Sequence, residues 1–532
     1  MEPPAKRRRL SDGDAGRDRK ASSSSRAPAS LSHPISPPRK KTVEKTVKER
    51  RLLPSPFRLT TITDLPPESN VGAVSLKDLL GDPLIAECWE FNYLHDVDFL
   101  ISHFDEDTRS LVKVHVVHGF WKREDPNMLA LEEQAGQRKN VTLHTAFMPE
   151  MFGTHHSKMM ILLRHDDTAQ IIIHTANMIS KDWTNMTNGV WQSPRLPQLK
   201  AAQGSPEIDT TRVGSGHRFK IDLLNYLQAY NTRRDVCKSL VENLAKYDFC
   251  AVRGALVASV PGKHDVDQDL EKTRWGWQGL KQAVKSVPVQ DGKSEIVVQI
   301  SSIATLGGTD AWLQRTLFDA LSASSSSKSK PTKPSFKIVF PTPDEIRRSL
   351  DGYASGGSIH TKIQSAAQAK QLQYMRPIFH HWANDCEKGI APEGAEPKDA
   401  GRQRGAPHIK TYIRYGENST IDWALLTSAN ISKQAWGEAT NKAGEVRIAS
   451  WEIGVLVWPE LLTDDPRARM VGTFKTDIPV KDDFDGESET PLVGLRIPYS
   501  LPLQRYGNAE VPWVATASYT EPDWKGGVWG GW

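Results

Sequence analysis

His156-Ser157-Lys158, the apolar run Met159-Met160-Ile161-Leu162-Leu163, a break at Asp166-Asp167, a second run Ile171-Ile172-Ile173 and then His174-Thr175-Ala176-Asn177 form one unit of this sequence. The unit recurs downstream. There it reads His408-Ile409-Lys410, an apolar stretch, a break at Gly416-Glu417-Asn418-Ser419, the run Trp423-Ala424-Leu425-Leu426, and Thr427-Ser428-Ala429-Asn430. Eighteen residues separate Lys158 from Asn177, and nineteen separate Lys410 from Asn430. In extended chain, side chains at i and i+2 share a face, so each His projects together with its Lys. Each pair of apolar runs predicts two buried strands joined by a polar turn, a hairpin that returns the Asn beside the Lys. Two such ends facing each other make one pocket with two cations, two carboxamides and two imidazoles. That is a phosphate site with a nucleophile and an acid at hand.

A metal site is the competing use of histidine. His155 adjoins His156 and the chain has 16 histidines, yet no Cys-x-x-Cys, His-Glu-x-x-His or clustered acidic spacing accompanies them. Neither a catalytic metal nor a cofactor is expected.

At 532 residues, 38% hydrophobic and 25% charged, the chain has the composition of a globular protein long enough for two or more cores. It has no apolar run of the ~18 residues that a membrane span requires. An apolar signal core is also missing at the N-terminus, so neither membrane insertion nor secretion is expected. Cys88, Cys237, Cys250 and Cys386 are too few and too scattered for a disulfide framework, which fits a reducing compartment. The net charge of +4 hides an asymmetry: residues 1–50 carry 14 Lys/Arg against 6 Asp/Glu, while the rest carries 54 against 58. A slightly acidic body must draw any nucleic acid to a local basic groove and through the tail.

Residues 1–55 are rich in Ser, Pro and basic residues and are expected to be a disordered basic tail. Lys6-Arg7-Arg8-Arg9 and Arg39-Lys40-Lys41 read as a nuclear import signal, which would place the protein in the nucleus. Beyond the tail, 85–98 reads as an opening helix or helix-loop, 111–117 as a strand, and 219–245 as helical. Pro261-Gly262-Lys263 marks the expected boundary between domains 56–260 and 261–532. The second opens with a helix bearing Trp275 and Trp277, followed by a strand at 296–300. The Ser/Lys/Pro run 322–335 and the Gly/Pro/charged run 388–405 read as flexible insertions. Strands alternating with helices imply a duplicated α/β architecture.

The doubled motif resembles that of the phospholipase D superfamily, whose members build one site from two His-x-Lys segments. Most carry an Asp five positions after the Lys, where this chain has Leu163 and Tyr415. The Asp-less, Asn-bearing form is similar to the tyrosyl-DNA phosphodiesterases. So are the blocks around Phe152-Gly153-Thr154-His155-His156, Pro407-His408-Ile409-Lys410, Phe91-Asn92-Tyr93 and Trp451-Glu452-Ile453-Gly454, along with stretches near 353–359 and 498–513. This resemblance spans roughly 80–515.

The fold it implies is two similar α-β-α layered domains related by a pseudo-two-fold, with the site at their interface. Carried onto these positions, His156 would be the nucleophile and His408 the general acid and base. Lys158, Lys410, Asn177 and Asn430 would hold the phosphate, and Glu452 would fix the tautomer of one histidine. Asn188 stands where the family has a longer Gln that orients the other histidine. Ser302, Thr305 and Lys433 match positions on the DNA backbone, and Phe152 and Tyr93 match aromatics on the DNA and substrate sides. An aromatic two residues beyond Trp513 is replaced by Ala515.

The implied activity is metal-independent hydrolysis of the 3′-phosphotyrosyl bond between DNA and a stalled topoisomerase I peptide, and of other 3′ adducts. The substrate would be a single-stranded or nicked 3′ end and the enzyme a monomer, with repair-protein partners on the tail and no membrane. Other readings are a nuclease or lipid hydrolase of the same superfamily, or an inactive scaffold that binds DNA ends.

Overall fold

A computed structural model describes residues 51–200, 212–266, 269, 271–324, 332–385, 396–463, 465–480 and 489–531. Residues 1–50 of the expected tail, the middle of the 322–335 run and the start of the 388–405 run lie outside the described residues. Residues 51–55, read as the end of that tail, are ordered: Leu52–Leu53 pairs in parallel with Leu492–Val493, and Ser55 is buried.

The chain traces one sheet path twice. In the first half, β1 (Phe57–Leu59), β2 (Ile85–Phe91), β3 (Lys113–His118), β4 (Val141–Thr145), β5 (Met159–Arg164), β6 (Thr168–His174) and β7 (Gly189–Gln192) lie in the order β1-β7-β6-β5-β2-β3-β4. Strands β2, β3 and β4 run parallel, and β2-β5-β6-β7 are successively antiparallel. The second half supplies β8 (Ala255–Ser259), β9 (Glu295–Gln299), β10 (Ser335–Val339), β11 (Phe379–His380), β12 (Thr411–Tyr415), β13 (Thr420–Thr427) and β14 (Glu452–Val457). Here β9, β10 and β11 are parallel, and β9-β12-β13-β14 are antiparallel in turn. β5-β6 and β12-β13 are therefore equivalent hairpins, as the repeat predicts. Asp167 takes the left-handed φ of 58° that the first tight turn needs.

The hairpin strands carry apolar runs because both faces are covered. Met159 and Ile161 face a core shared with Val297, Ile413, Leu426 and Ile453 of the second sheet and with Phe219, Leu223 and Tyr226 of helix Gly216–Ala229. Met160 and Leu162 point the other way, into a core closed by the helices around Leu79, Leu100 and Leu131. The outer face of the second sheet packs on Leu280, Val284 and Leu317. Helices thus cover the outer face of each sheet, and the inner faces share a core that helix Gly216–Ala229 also enters.

Several local expectations are corrected. The segment at 85–98 opens with strand β2, and its helix, Val97–Ser102, starts later. The helical reading of 219–245 divides into Gly216–Ala229 and Lys238–Leu244. Strand β8, just before Pro261, already belongs to the second sheet, where it pairs with β14. In the 388–405 run, the described end is packed, not loose: Ala400 and Arg402 are buried, and Arg402 Nη1 donates to the Thr60 carbonyl at 2.9 Å. No helix among the described residues is long and apolar enough to cross a membrane.

Candidate active site

Each histidine loop is held by the opposite half of the molecule. The His156 amide donates to the Trp451 carbonyl at 3.0 Å, and the Trp451 amide donates to Thr154 at 3.0 Å. The exchange places Glu452, the first residue of β14, beside the imidazole. Reciprocally, Ala406-Pro407 pairs with Met186-Thr187, and the His408 amide donates to the Thr187 carbonyl at 3.0 Å. That puts Asn188, the residue before β7, beside His408. The two asparagines are equally matched, each three residues past the end of its strand, β6 or β13.

His156 Nδ1 lies 2.9 Å from Glu452 Oε2, which also accepts from Ser428 Oγ at 2.5 Å. A carboxylate only accepts, so Nδ1 carries the hydrogen and Nε2 keeps its lone pair. His408 Nδ1 lies 3.1 Å from Asn188 Oδ1. That amide's orientation is fixed on two sides, because Asn188 Nδ2 donates to the Asp182 carbonyl at 2.8 Å while Oδ1 accepts from Thr175 Oγ1 at 2.9 Å. His408 therefore also carries hydrogen at Nδ1. The shorter Asn188 makes direct contact, because the loop delivers its amide to the ring.

Asp182 is a residue the sequence reading missed. Its Oδ2 sits 3.1 Å from His408 Nδ1 and accepts from Asn177 N at 2.7 Å and Asn177 Nδ2 at 3.0 Å. One buried carboxylate thus ties the Asn177 amide to the second imidazole. Burial raises its pKa, opposed by the Asn177 amide and by Lys410 and Lys158. Asn430 is oriented differently: its Oδ1 accepts from the amides of Ser301 and Ser302 at 3.0 and 2.9 Å, leaving its NH2 for the cleft.

The lysines lie close enough to act on both imidazoles, though neither is among the residues that line the cleft. Both are fully buried, and Lys158 Nζ has no hydrogen-bond partner among the described residues. Lys410 Nζ donates to the His408 carbonyl. Burial lowers Lys158 to about 8 and Lys410 well below its usual range, the latter helped by Lys158 itself. Two buried ammonium groups with so few partners favour an anion between them. The same burial, with Lys158 opposing Glu452, holds His156 at about 4, neutral near pH 7. His408 is pushed well below 6.5 by burial and then by both lysines. A phosphodiester's negative charge offsets those lysines, so proton uptake by His408 accompanies an anion in the cleft.

The cleft above has a volume of about 300 Å³ and is lined by His156, His408, Asn177, Asn430, Glu452 and Ser302, with Tyr93 and Phe152 at the rim. The Tyr93 ring lies 5.9 Å from that of His156. Phe152 is 79% exposed, so it is a surface aromatic and no part of the core. Ser302, Phe152 and Thr305 continue into an adjoining cavity of about 480 Å³, where Gln368 Nε2 donates to Thr305 Oγ1 at 2.8 Å. Lys433 opens the short helix Lys433–Trp436 and lines neither cavity. Ala515 is buried, its carbonyl accepting from Trp529 Nε1 and its amide donating to the Thr361 carbonyl at 3.2 Å, and lines neither cavity. A third imidazole, His360, faces both cavities and was not anticipated, since no repeated motif marks it. Among the described residues, no three His, Cys, Asp or Glu side chains form a metal-binding group.

Lys158→Ala and Lys410→Ala are each expected to slow single-turnover cleavage by about a hundredfold, the scale of one lost transition-state donor. Circular dichroism should be unchanged. Full rate in both variants would place the phosphate elsewhere.

Matched halves that each orient the other's histidine over paired lysines define a phosphodiesterase of the phospholipase D type. The family model for tyrosyl-DNA phosphodiesterase matches residues 56–507. A probable tyrosyl-DNA phosphodiesterase of Schizosaccharomyces pombe is 30% identical over 549 residues, covering 91% of this chain and 97% of that protein. Tyrosyl-DNA phosphodiesterase 1 of Drosophila melanogaster is 30% identical, with 88% and 74% covered. The crystal structure of the yeast tyrosyl-DNA phosphodiesterase shares the fold at a TM-score of 0.61 and 20% identity, covering 87% of this chain and 99% of that one. The chain belongs to the tyrosyl-DNA phosphodiesterase family.

Proposed function

We propose that the enzyme hydrolyses the 3′-phosphotyrosyl bond that joins DNA to a stalled topoisomerase I peptide, and removes other 3′-blocking groups by the same route. The observation that carries this reading is the reciprocal pair of imidazoles, each with its Nδ1 hydrogen on a residue of the other half. In the first step His156 Nε2 attacks phosphorus in line. The P–N bond forms, the P–O bond to tyrosine breaks, and His408 gives its proton to the departing phenolate. In the second step water attacks phosphorus, His408 takes its proton, and the P–N bond breaks to leave a 3′-phosphate and free His156. Lys158, Lys410 and the NH2 of Asn430 stabilise the charge of each five-coordinate transition state. Tyrosine suits the site because its phenol ionises near pH ~10, well below an ordinary alcohol. Phe152 offers a ring for a terminal base, which tolerates any sequence.

The test compares a 3′-phosphotyrosyl oligonucleotide with phosphatidylcholine, each with and without EDTA. Cleavage of the oligonucleotide alone, at a rate EDTA leaves unchanged, is the expected result. Lipid hydrolysis, or activity that only added Mg²⁺ or Zn²⁺ restores, speaks against the reading.

The two basic clusters of the tail support a nuclear address. Removing residues 1–50 is expected to spare cleavage of a short oligonucleotide and to disperse a fluorescent fusion into the cytoplasm. Continued nuclear concentration of the truncated fusion would reject this role.

A further inference from the structure

A cavity of about 540 Å³ lies on the first half of the molecule, apart from the catalytic cleft. Lys122, Arg123, Arg233 and Arg234 surround it, and none of the four is ion-paired among the described residues. Its aromatic surfaces are Trp121, 63% exposed, and Phe147, whose ring carries the Arg233 guanidinium at 4.0 Å. Residues 51–532 carry more acidic than basic charge, so four cations against one lining carboxylate, Glu132, are a local exception. Cations stacked on aromatic rings, with Trp121 largely exposed, match the charge and shape of a nucleotide, the phosphates on the cations and the base on the Trp121 ring.

The cavity backs onto the catalytic loop. Tyr230 forms part of its wall, and the Tyr230 hydroxyl bonds His155 Nε2 at 2.9 Å and Ser157 Oγ at 3.2 Å, one on each side of His156. Gly119, just before the Trp121 loop, packs so closely on the His155 side chain that no Cβ fits there. Asp125, at the end of that loop, acts electrostatically on Tyr93 at the cleft rim. The hollow therefore lies past Tyr93 and His155, whereas Ser302 and Thr305 line a different extension of the cleft. The cleaved strand stops at the phosphate on His156, so any nucleic acid that continues past it belongs to the opposite strand.

We propose that this cavity is a second nucleic-acid subsite, which takes an unpaired nucleotide of the strand opposite the processed 3′ end. This rests on the function proposed above. The substrates are a blunt 3′-phosphotyrosyl duplex, the same duplex with the opposite strand extended by about six unpaired nucleotides, within one single-strand site, and a short single strand. The extension is expected to lower KM by about tenfold, on the scale of one base–aromatic stack. Trp121→Ala and the pair Arg233→Ala, Arg234→Ala should abolish that gain and leave the short single strand unaffected. Fluorescence anisotropy with uncleavable 3′-phosphate duplexes reads the same difference without turnover, so the subsite remains testable even if the proposed reaction is wrong. The assignment is overturned if wild type ignores the extension, if the variants keep the gain, or if they weaken the short substrate equally. It is also overturned if acidic residues added to the peptide adduct reproduce the gain, because the cavity would then serve the adduct.

Discussion

His156→Ala is expected to remove turnover of a 3′-phosphotyrosyl strand by at least ~10⁴-fold, the scale on which loss of a nucleophile disables comparable covalent catalysts. Neither His408 nor His155 can take its place. His408 is committed to proton transfer, and His155 spends both ring nitrogens in the core, on the Asn92 carbonyl at 2.8 Å and on Tyr230. Binding should survive, because the lysines and Asn430 are untouched, which makes the variant a tool for the uncleaved complex. Burial and the lysines hold His408 well below 6.5 in the free protein, and the bound phosphodiester raises it. A group whose pKa rises on binding takes up a proton, so affinity should weaken as pH climbs through the value in the complex. Calorimetry of the variant in two buffers with different ionisation heats measures that proton. Equal heats would deny the coupling, and residual cleavage near the wild-type rate would remove His156 from the nucleophile's role.

The paired site was legible in the sequence because it is written twice. A His-x-Lys at one strand end is commonplace; the same spacing to Asn177 and to Asn430 is not. The hairpins were legible for a related reason, since strands covered on both faces read as unbroken apolar runs. Strand β2 was misread because Glu87 and Glu90 interrupt that run and leave Cys88, Trp89, Phe91 and Leu94 at near-helical spacing. Glu90 is tolerated there only through partners the sequence does not place: His95 Nδ1 at 2.7 Å and Asn92 Nδ2 at 2.9 Å. The division between the helices Gly216–Ala229 and Lys238–Leu244 carries neither Pro nor Gly, so nothing local announced it. Asp182 was invisible for a different reason. In sequence it is an acid in the first turn of the short helix Ser180–Thr184, a commonplace position, and only the fold brings His408 to it. Arg402 shows the converse, a charged side chain in a Gly-rich run that the fold buries against Thr60.

The two histidines differ in what each step asks of them, and His408→Asn is expected to expose the difference. In the first step the departing group is a phenolate, which leaves with modest proton help. In the second the nucleophile is water, which needs a base far more. An Asn at this position neither gives nor takes the proton, so formation of the His156 adduct should slow less than its hydrolysis. A covalent protein–DNA species is expected to accumulate, stable to denaturation and labile to acid, as a phosphoramidate is. The neighbours favour this outcome: Asn188 and Asp182 contact only the Nδ1 side of His408, and the Glu452 bond that prepares His156 comes from another strand. Loss of one imidazole therefore leaves the other oriented. The measurement is a shifted band on a denaturing gel after incubation with a labelled 3′-phosphotyrosyl strand, beside the His156→Ala, His408→Asn double variant. The band should appear in the single variant and be absent from the double. If the single variant is slow yet never shows it, or if the double variant shows it too, the nucleophile and the acid–base group have been assigned to the wrong residues.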